Sequence, residues 1–171
     1  MSATLPIPVQ FELPGPAWSP IDPDAAGIVN AAFAAARTPI SGDYTPTLVI
    51  SGDERYDDAT LLEIADESAQ VLRNETPHLR LLDRQEVGSE QAPAVTQLIG
   101  IGIELVGERL DLVQAQVLTA LLDVDDPRKR VVVIYKVTCR SDDWPQVGRE
   151  FQDFMRTVRP APDQPGPDRP A

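Results

Sequence analysis

The stretch Leu98–Gly107, LIGIGIELVG, decides how the chain is read, because its glycines fit either a phosphate-cradling loop or a β-strand. A dinucleotide fingerprint needs a glycine three residues after Gly102, where this chain has Leu105, and it must lead into a helix whose N-terminus holds the pyrophosphate. Instead the run extends back to Val95 with Val95, Ile99, Ile101, Ile103 and Leu105 apolar and Thr96, Gly100, Gly102 and Glu104 between them. That is a period of two, the signature of a pleated strand. Glycines inside a strand mark places where another group comes close.

Two further strands follow, RLDLVQAQVLTALLDV from Arg109 and RVVVIYKVTC from Arg130. The connectors, GER around Glu108 and DVDDPRK before Arg130, are short and force antiparallel neighbours. Shorter strands are expected at Val9–Leu13, Thr47–Gly52 and Leu79–Val87. A first helix is expected over Asp57–Asn74, with Leu61, Ile64, Ala65, Ala69 and Leu72 on one stripe and a capping box between Thr60 and Glu63. A second is expected over Asp142–Arg159, capped by Ser141 or Asp142. Its stripe is Val147, Phe151, Phe154, Met155 and Val158, with Arg156 and Arg159 at the negative end of its dipole. Propensity leaves Ala25–Arg37, AAGIVNAAFAAAR, balanced between helix and strand. The two ISGD segments, at Ile40 and Ile50, share turn chemistry without matching flanks.

Composition narrows the functions. Lys plus Arg is 15 and Asp plus Glu is 27, a formal charge of −12, which repels phosphate backbones and anionic bilayers and argues against nucleic acid and membrane as partners. The single cysteine, Cys139, excludes an internal disulfide and any CxxC site. The N-terminus MSATLPIPVQ shows no signal or lipidation motif, so a cytoplasmic location is expected. The Pro-rich segment PAPDQPGPDRPA is expected to be a disordered tail, leaving residues 1–160 as one domain and 161–171 outside it.

No catalytic, cofactor or metal constellation stands out. The acidic run DVDDP at Asp123–Pro127 lacks the later Gly and Glu of a calcium loop, and Asp57–Asp58 and Asp142–Asp143 stand where helices begin, as caps. Cys139 would need the only histidine, His78, as its base, yet it ends an apolar strand where a thiol behaves as a small hydrophobe. GxSxG, HExxH and GxxxxGK[ST] are absent. Trp18 and Trp144, beside prolines at element boundaries, are expected to plug the ends of the core.

The LPGPAW opening at Leu13–Trp18, the long central strands and the FQDFMRTVRP ending at Phe151–Pro160 together resemble the LpqN-type lipoproteins. More broadly they resemble the PsbP-like superfamily, which includes the DcrB-like and Mog proteins. The resemblance spans about Val9 to Pro160 and tips Ala25–Arg37 toward strand. It implies an α+β fold, an antiparallel sheet flanked by helices in a PsbP-like α/β/α sandwich. It also implies a non-enzymatic role as a binding partner, adaptor or chaperone. The LpqN type is exported and lipidated, whereas this chain carries no lipobox cysteine.

The expected activity is therefore protein binding without catalysis, metal or cofactor. The expected partner is another protein, basic or bearing an apolar segment, or a second copy of the chain. The candidate contact surface is a groove in which Leu112, Gln114, Gln116 and Leu118, on one side of their strand, lie beside Gly100 and Gly102. The alternatives are a small hydrolase or isomerase built from carboxylates with Arg109, Arg128 or Arg130, and a homo-oligomeric structural or immunity protein.

Overall fold

The computed structural model describes residues 5–6, 8–90, 92–122, 126 and 129–161. Of the expected tail 161–171 only Ala161 is described, its N–H donating to the Pro8 carbonyl at 2.9 Å beside the Val9–Pro160 pair, so the Pro-rich segment begins inside a strand ribbon; the rest of it, the acidic turn apart from Asp126, and Arg128 lie outside the described residues. In chain order the elements are β1 (Val9–Gln10), β2 (Trp18–Ile21), β3 (Phe33–Arg37), β4 (Thr47–Arg55), α1 (Leu61–Glu75), β5 (His78–Gly88), β6 (Pro93–Leu105), β7 (Glu108–Leu122), β8 (Arg130–Arg140), a 3₁₀ turn (Ser141–Asp143), α2 (Trp144–Thr157) and β9 (Arg159–Pro160). Seven strands form one antiparallel sheet in the order β2-β3-β4-β8-β7-β6-β5, and β1 pairs with β9 in a separate ribbon.

The LIGIGIELVG stretch is part of β6, as its period requires. The β6–β7 hairpin turns through Val106 and Gly107, both at positive φ (51° and 78°), between the paired Leu105 and Glu108. Gly107 adopts such a φ freely, whereas Val106 is β-branched and fully exposed there. Ala25–Arg37 divides, since only Phe33–Arg37 is strand and the residues before it form turns.

Side chains alternate between the two faces of the sheet. One face presents Leu48, Ile50, Ala115, Val133, Tyr135, Val137 and Cys139 to Val147, Phe151 and Phe154 of α2. The other presents Val95, Leu118, Ala120 and Val132 to Ile64 and Ala65 of α1, and Ile99, Ile101 and Leu112 to Ala69. The result is three layers, α1, sheet and α2.

The helices are fixed differently. Thr60 and Glu63 form the expected reciprocal capping box, with Glu63 N donating to Thr60 Oγ1 at 3.1 Å and Thr60 N to Glu63 Oε2 at 2.7 Å. Asp57 does not cap α1; it sits between Arg55 and Arg130 in an ion-pair cluster that also holds Glu67. α2 starts without a side-chain cap, because the carboxylate of Asp143 faces away and accepts from Ser41 Oγ at 2.8 Å. Arg156 lies in its last turn, but Arg159 is already in β9. α2 is held instead from its side. Glu150 accepts Arg37 Nε and Nη2, each at 2.8 Å, and Trp18 Nε1 at 3.1 Å. Trp18 thus plugs one end of the core, as expected, while Trp144 is half-buried against Gly148.

Candidate functional site

The helices cover different parts of the sheet. α1 lies across β5, β6 and β7, while α2 lies against β8 and the core of β3 and β4. The α2 face of β5–β7 is therefore left uncovered, and a cleft of about 650 Å³ opens there. Gly100 and Gly102 form its floor with Val113; His78, Arg80 and Leu82 of β5 make one wall, and Ser141 and Asp142 the other. A β-carbon at Gly100 would lie 3.4 Å from Leu82 Cδ1, an ordinary contact. At Gly102 it would lie 3.3 Å from both Arg109 Nη2 and His78 Cβ, so the missing side chain is what lets Arg109 lie over the strand. Arg109 Nε also reaches Asp111 Oδ1 at 3.3 Å, an exposed pair. The cleft thus combines a glycine floor, an exposed Leu82 and a polar rim of both charge signs.

The expected groove is not assembled as its residues were grouped. Gly100 pairs with Val113 and Gly102 with Asp111, which puts both glycines on the α2 face. Leu112, Gln114, Gln116 and Leu118 alternate to the opposite face, where all four are buried under α1. The two glutamines line no surface. Gln97 Nε2 donates to Gln116 Oε1 at 2.7 Å, Gln116 Nε2 to Gln114 Oε1 at 2.6 Å, and Gln114 Nε2 to Thr138 Oγ1 at 3.0 Å. Gln97 Nε2 also donates to the Ala65 carbonyl of α1 at 3.1 Å, and its Oε1 accepts Arg84 Nε and Nη2 at 3.0 and 2.8 Å. Arg84 in turn pairs with Asp66 at 2.7 Å. An amide ladder therefore crosses the sheet from Thr138 to the β5 edge, with each buried group satisfied, as a low-dielectric interior requires.

Sequence reasoning missed Gln97, Arg84 and the Arg37–Glu150–Trp18 clamp. The clamp joins residues 113 and 132 positions apart and leaves no periodic trace. Gln97 did leave one, as the polar break in the odd-numbered stripe of β6 that matches Gln114 and Gln116 across the hairpin.

The catalytic candidates stay apart. Cys139 is buried on β8, and burial pushes its thiol pKa up to about 12, so it stays protonated. His78 is on the edge strand β5, three strands away, roughly 14 Å at the usual strand spacing. Arg109 begins β7 and Arg130 begins β8, and because the strands are antiparallel the two lie at opposite ends of the sheet, roughly 40 Å apart. Arg130 is committed to Asp57. Three exposed acids of α1 are also engaged: Glu63 caps, Asp66 pairs with Arg84 and Glu67 with Arg55. Among the described residues no three His, Cys, Asp or Glu side chains converge as metal ligands, and no helix is long and apolar enough to cross a membrane.

No protein-family model matches the sequence, nor does any curated protein. Solved structures do. LpqN of Mycobacterium tuberculosis, involved in cell envelope biogenesis, superposes with a TM-score of 0.64 at 13% identity over 95% of this chain and 89% of its own. PA94, a protein of unknown function from Pseudomonas aeruginosa, matches with a TM-score of 0.56 at 21% identity over 76% and 83%. The cyanobacterial PsbP of Synechocystis matches with 0.57 at 13% over 90% and 92%. At these identities the likeness is one of fold, and the chain has the PsbP-like α+β fold.

Proposed function

We propose that the protein is a non-enzymatic binding module, an adaptor or chaperone, that holds a segment of another protein in the cleft over Gly100 and Gly102. The observation that carries this reading is the open part of the α2 face, where a glycine floor and exposed Leu82 are surrounded by Arg80, Arg109, Asp111 and Asp142. Ligand sites characteristically combine apolar surface with a few placed polar groups. The protonated, buried Cys139 and the separation of Arg109 from Arg130 weigh against the hydrolase reading.

Gly100→Phe tests it. The ring would fill the floor, and the atoms nearest its β-carbon belong to the exposed end of Leu82. Gentle-salt capture from native lysate should recover a stoichiometric partner with the unaltered protein and lose it with the variant, at unchanged melting temperature. Equal recovery by both proteins, or none by either, would remove the cleft from consideration.

A further inference from the structure

The outer edge of β5 pairs with nothing among the described residues, although the strand runs for eleven residues, His78–Gly88. An unpaired edge of that length is a template for another strand. Three of the large apolar side chains exposed on this chain are on it: Leu81 at 45%, Leu82 at 46% and Val87 at 43%. Arg80 and Asp83 are also exposed, and neither forms an ion pair among the described residues.

A bulge makes this edge self-complementary. Alternation alone would put residues three apart on opposite faces. The register shift between Leu81 and Asp83 changes that, because Arg80 pairs with Gly100 and Asp83 with Leu98, so both charges stand on the α2 face. The same shift turns Arg84 to the other face, where it meets Gln97 and Asp66. Now let two copies of β5 run antiparallel about a two-fold axis normal to the sheet, between Leu81 and Leu82. Arg80 of each copy falls opposite Asp83 of the other, Leu79 opposite Arg84 and His78 opposite Gln85, while beside the axis the two Leu81 side chains meet on the α1 face, where Leu81 pairs with Ile99, and the two Leu82 side chains meet on the α2 face, next to Gly100. Each charge pair then lies on one shared face, and no like charges face each other across the ladder.

We propose that a second copy of this chain occupies the β5 edge, joining two seven-stranded sheets into one through the Leu81 and Leu82 side chains of both copies and two Arg80–Asp83 pairs. Because the axis is normal to the sheet, the open halves of both copies lie on the same side, and His78, Arg80 and Leu82 of each wall stand beside the axis. The two clefts then run together into one trough. That last consequence rests on the binding role proposed for the cleft; the dimer does not. One strand pair makes a small interface, so the expected association is weak.

Analytical ultracentrifugation from about 1 µM to 1 mM reads the outcome directly. The unaltered chain should shift from monomer to dimer mass across that range. Arg80→Asp and Asp83→Arg each place like charges opposite one another and should weaken the dimer by about tenfold or more. The double variant Arg80→Asp/Asp83→Arg restores opposite charges in the same register and should recover it. Both positions are exposed, so all variants should melt with the parent. A chain that stays monomeric at 1 mM would overturn the proposal, as would single variants that dimerise unchanged or a double variant that does not recover. Asp142→Arg alters the far wall of the cleft and leaves β5 untouched, so loss of capture with an intact dimer separates failure of one reading from failure of the other.

Discussion

The two sides of the sheet bury comparable lengths of strand but are built from different materials. Beneath α2 the core is aromatic: Phe154 touches Phe11, Tyr135 and Phe151 at centroid separations of 5.3, 6.2 and 6.2 Å, and Phe11 meets Phe33 at 4.8 Å. Beneath α1 the apolar residues are smaller and divide into two clusters, and the amide ladder crosses the same face. Large rings supply transfer energy that is indifferent to small shifts of register. A chain of amides tolerates no shift, since a slip of one residue strands every donor. The α2 side accordingly buries the larger rings, and on the α1 side the amide ladder favours one pairing of the strands.

Phe151→Ala should break this contrast most visibly. Phe151 is 5% exposed and stacked on Phe154, and its loss leaves a cavity costing about 3–5 kcal/mol in chemical denaturation. A loss under about 1 kcal/mol would mean α2 is not docked as described.

Gln116→Leu should follow, at about 2–4 kcal/mol, because it strands an N–H of Gln97 and the carbonyl oxygen of Gln114 inside the protein. Replacing Gln97, Gln114 and Gln116 together by apolar residues sharpens the point. Stability should then recover relative to the single change, while amide spectra should show more than one strand register. A single sharp set of resonances in the triple variant would deny the ladder its role in register.

Glu150→Gln should cost less, about 1–2 kcal/mol, by weakening the side anchor of α2. The Arg37 guanidinium holds the Glu150 carboxyl below its ordinary value of 4.5, with Trp18 adding a hydrogen bond. A carboxylate whose folded pKa is lowered contributes stability above its unfolded pKa and loses it as pH falls through the folded value. The melting difference between Glu150→Gln and the parent should therefore be constant above about pH 5 and shrink below about pH 4. Thr60→Ala, which removes half of the capping box, should cost least, about 1 kcal/mol, read as faster amide exchange in the first turn of α1.

The extent to which the sequence disclosed this molecule follows the same contrast. Period two in Val95–Leu105 and the short connectors after it were enough to place β6, β7 and β8, and the stripe from Val147 to Phe154 placed α2. Local signals also gave the Thr60–Glu63 box. What depended on partners distant in sequence was hidden. The Asp143 side chain turned to Ser41 rather than to its helix, and Asp57 to two arginines. The candidate groove went astray for a related reason. Leu112, Gln114, Gln116 and Leu118 were correctly assigned to one face, but their relation to Gly100 and Gly102 depends on strand register, which one residue inverts. Glutamines in an apolar stripe were read as surface because nothing local announces that Gln97 waits across the hairpin.

The solitary thiol has a practical corollary. Cys139 is wholly enclosed on the aromatic side and nearly all protonated at neutral pH. A disulfide reagent added to the native protein can meet it only after that side parts, so the labelling rate is a clock for excursions in which α2 lifts. Release of α1 alone would leave the clock silent, so the signal reports on α2 and not on α1.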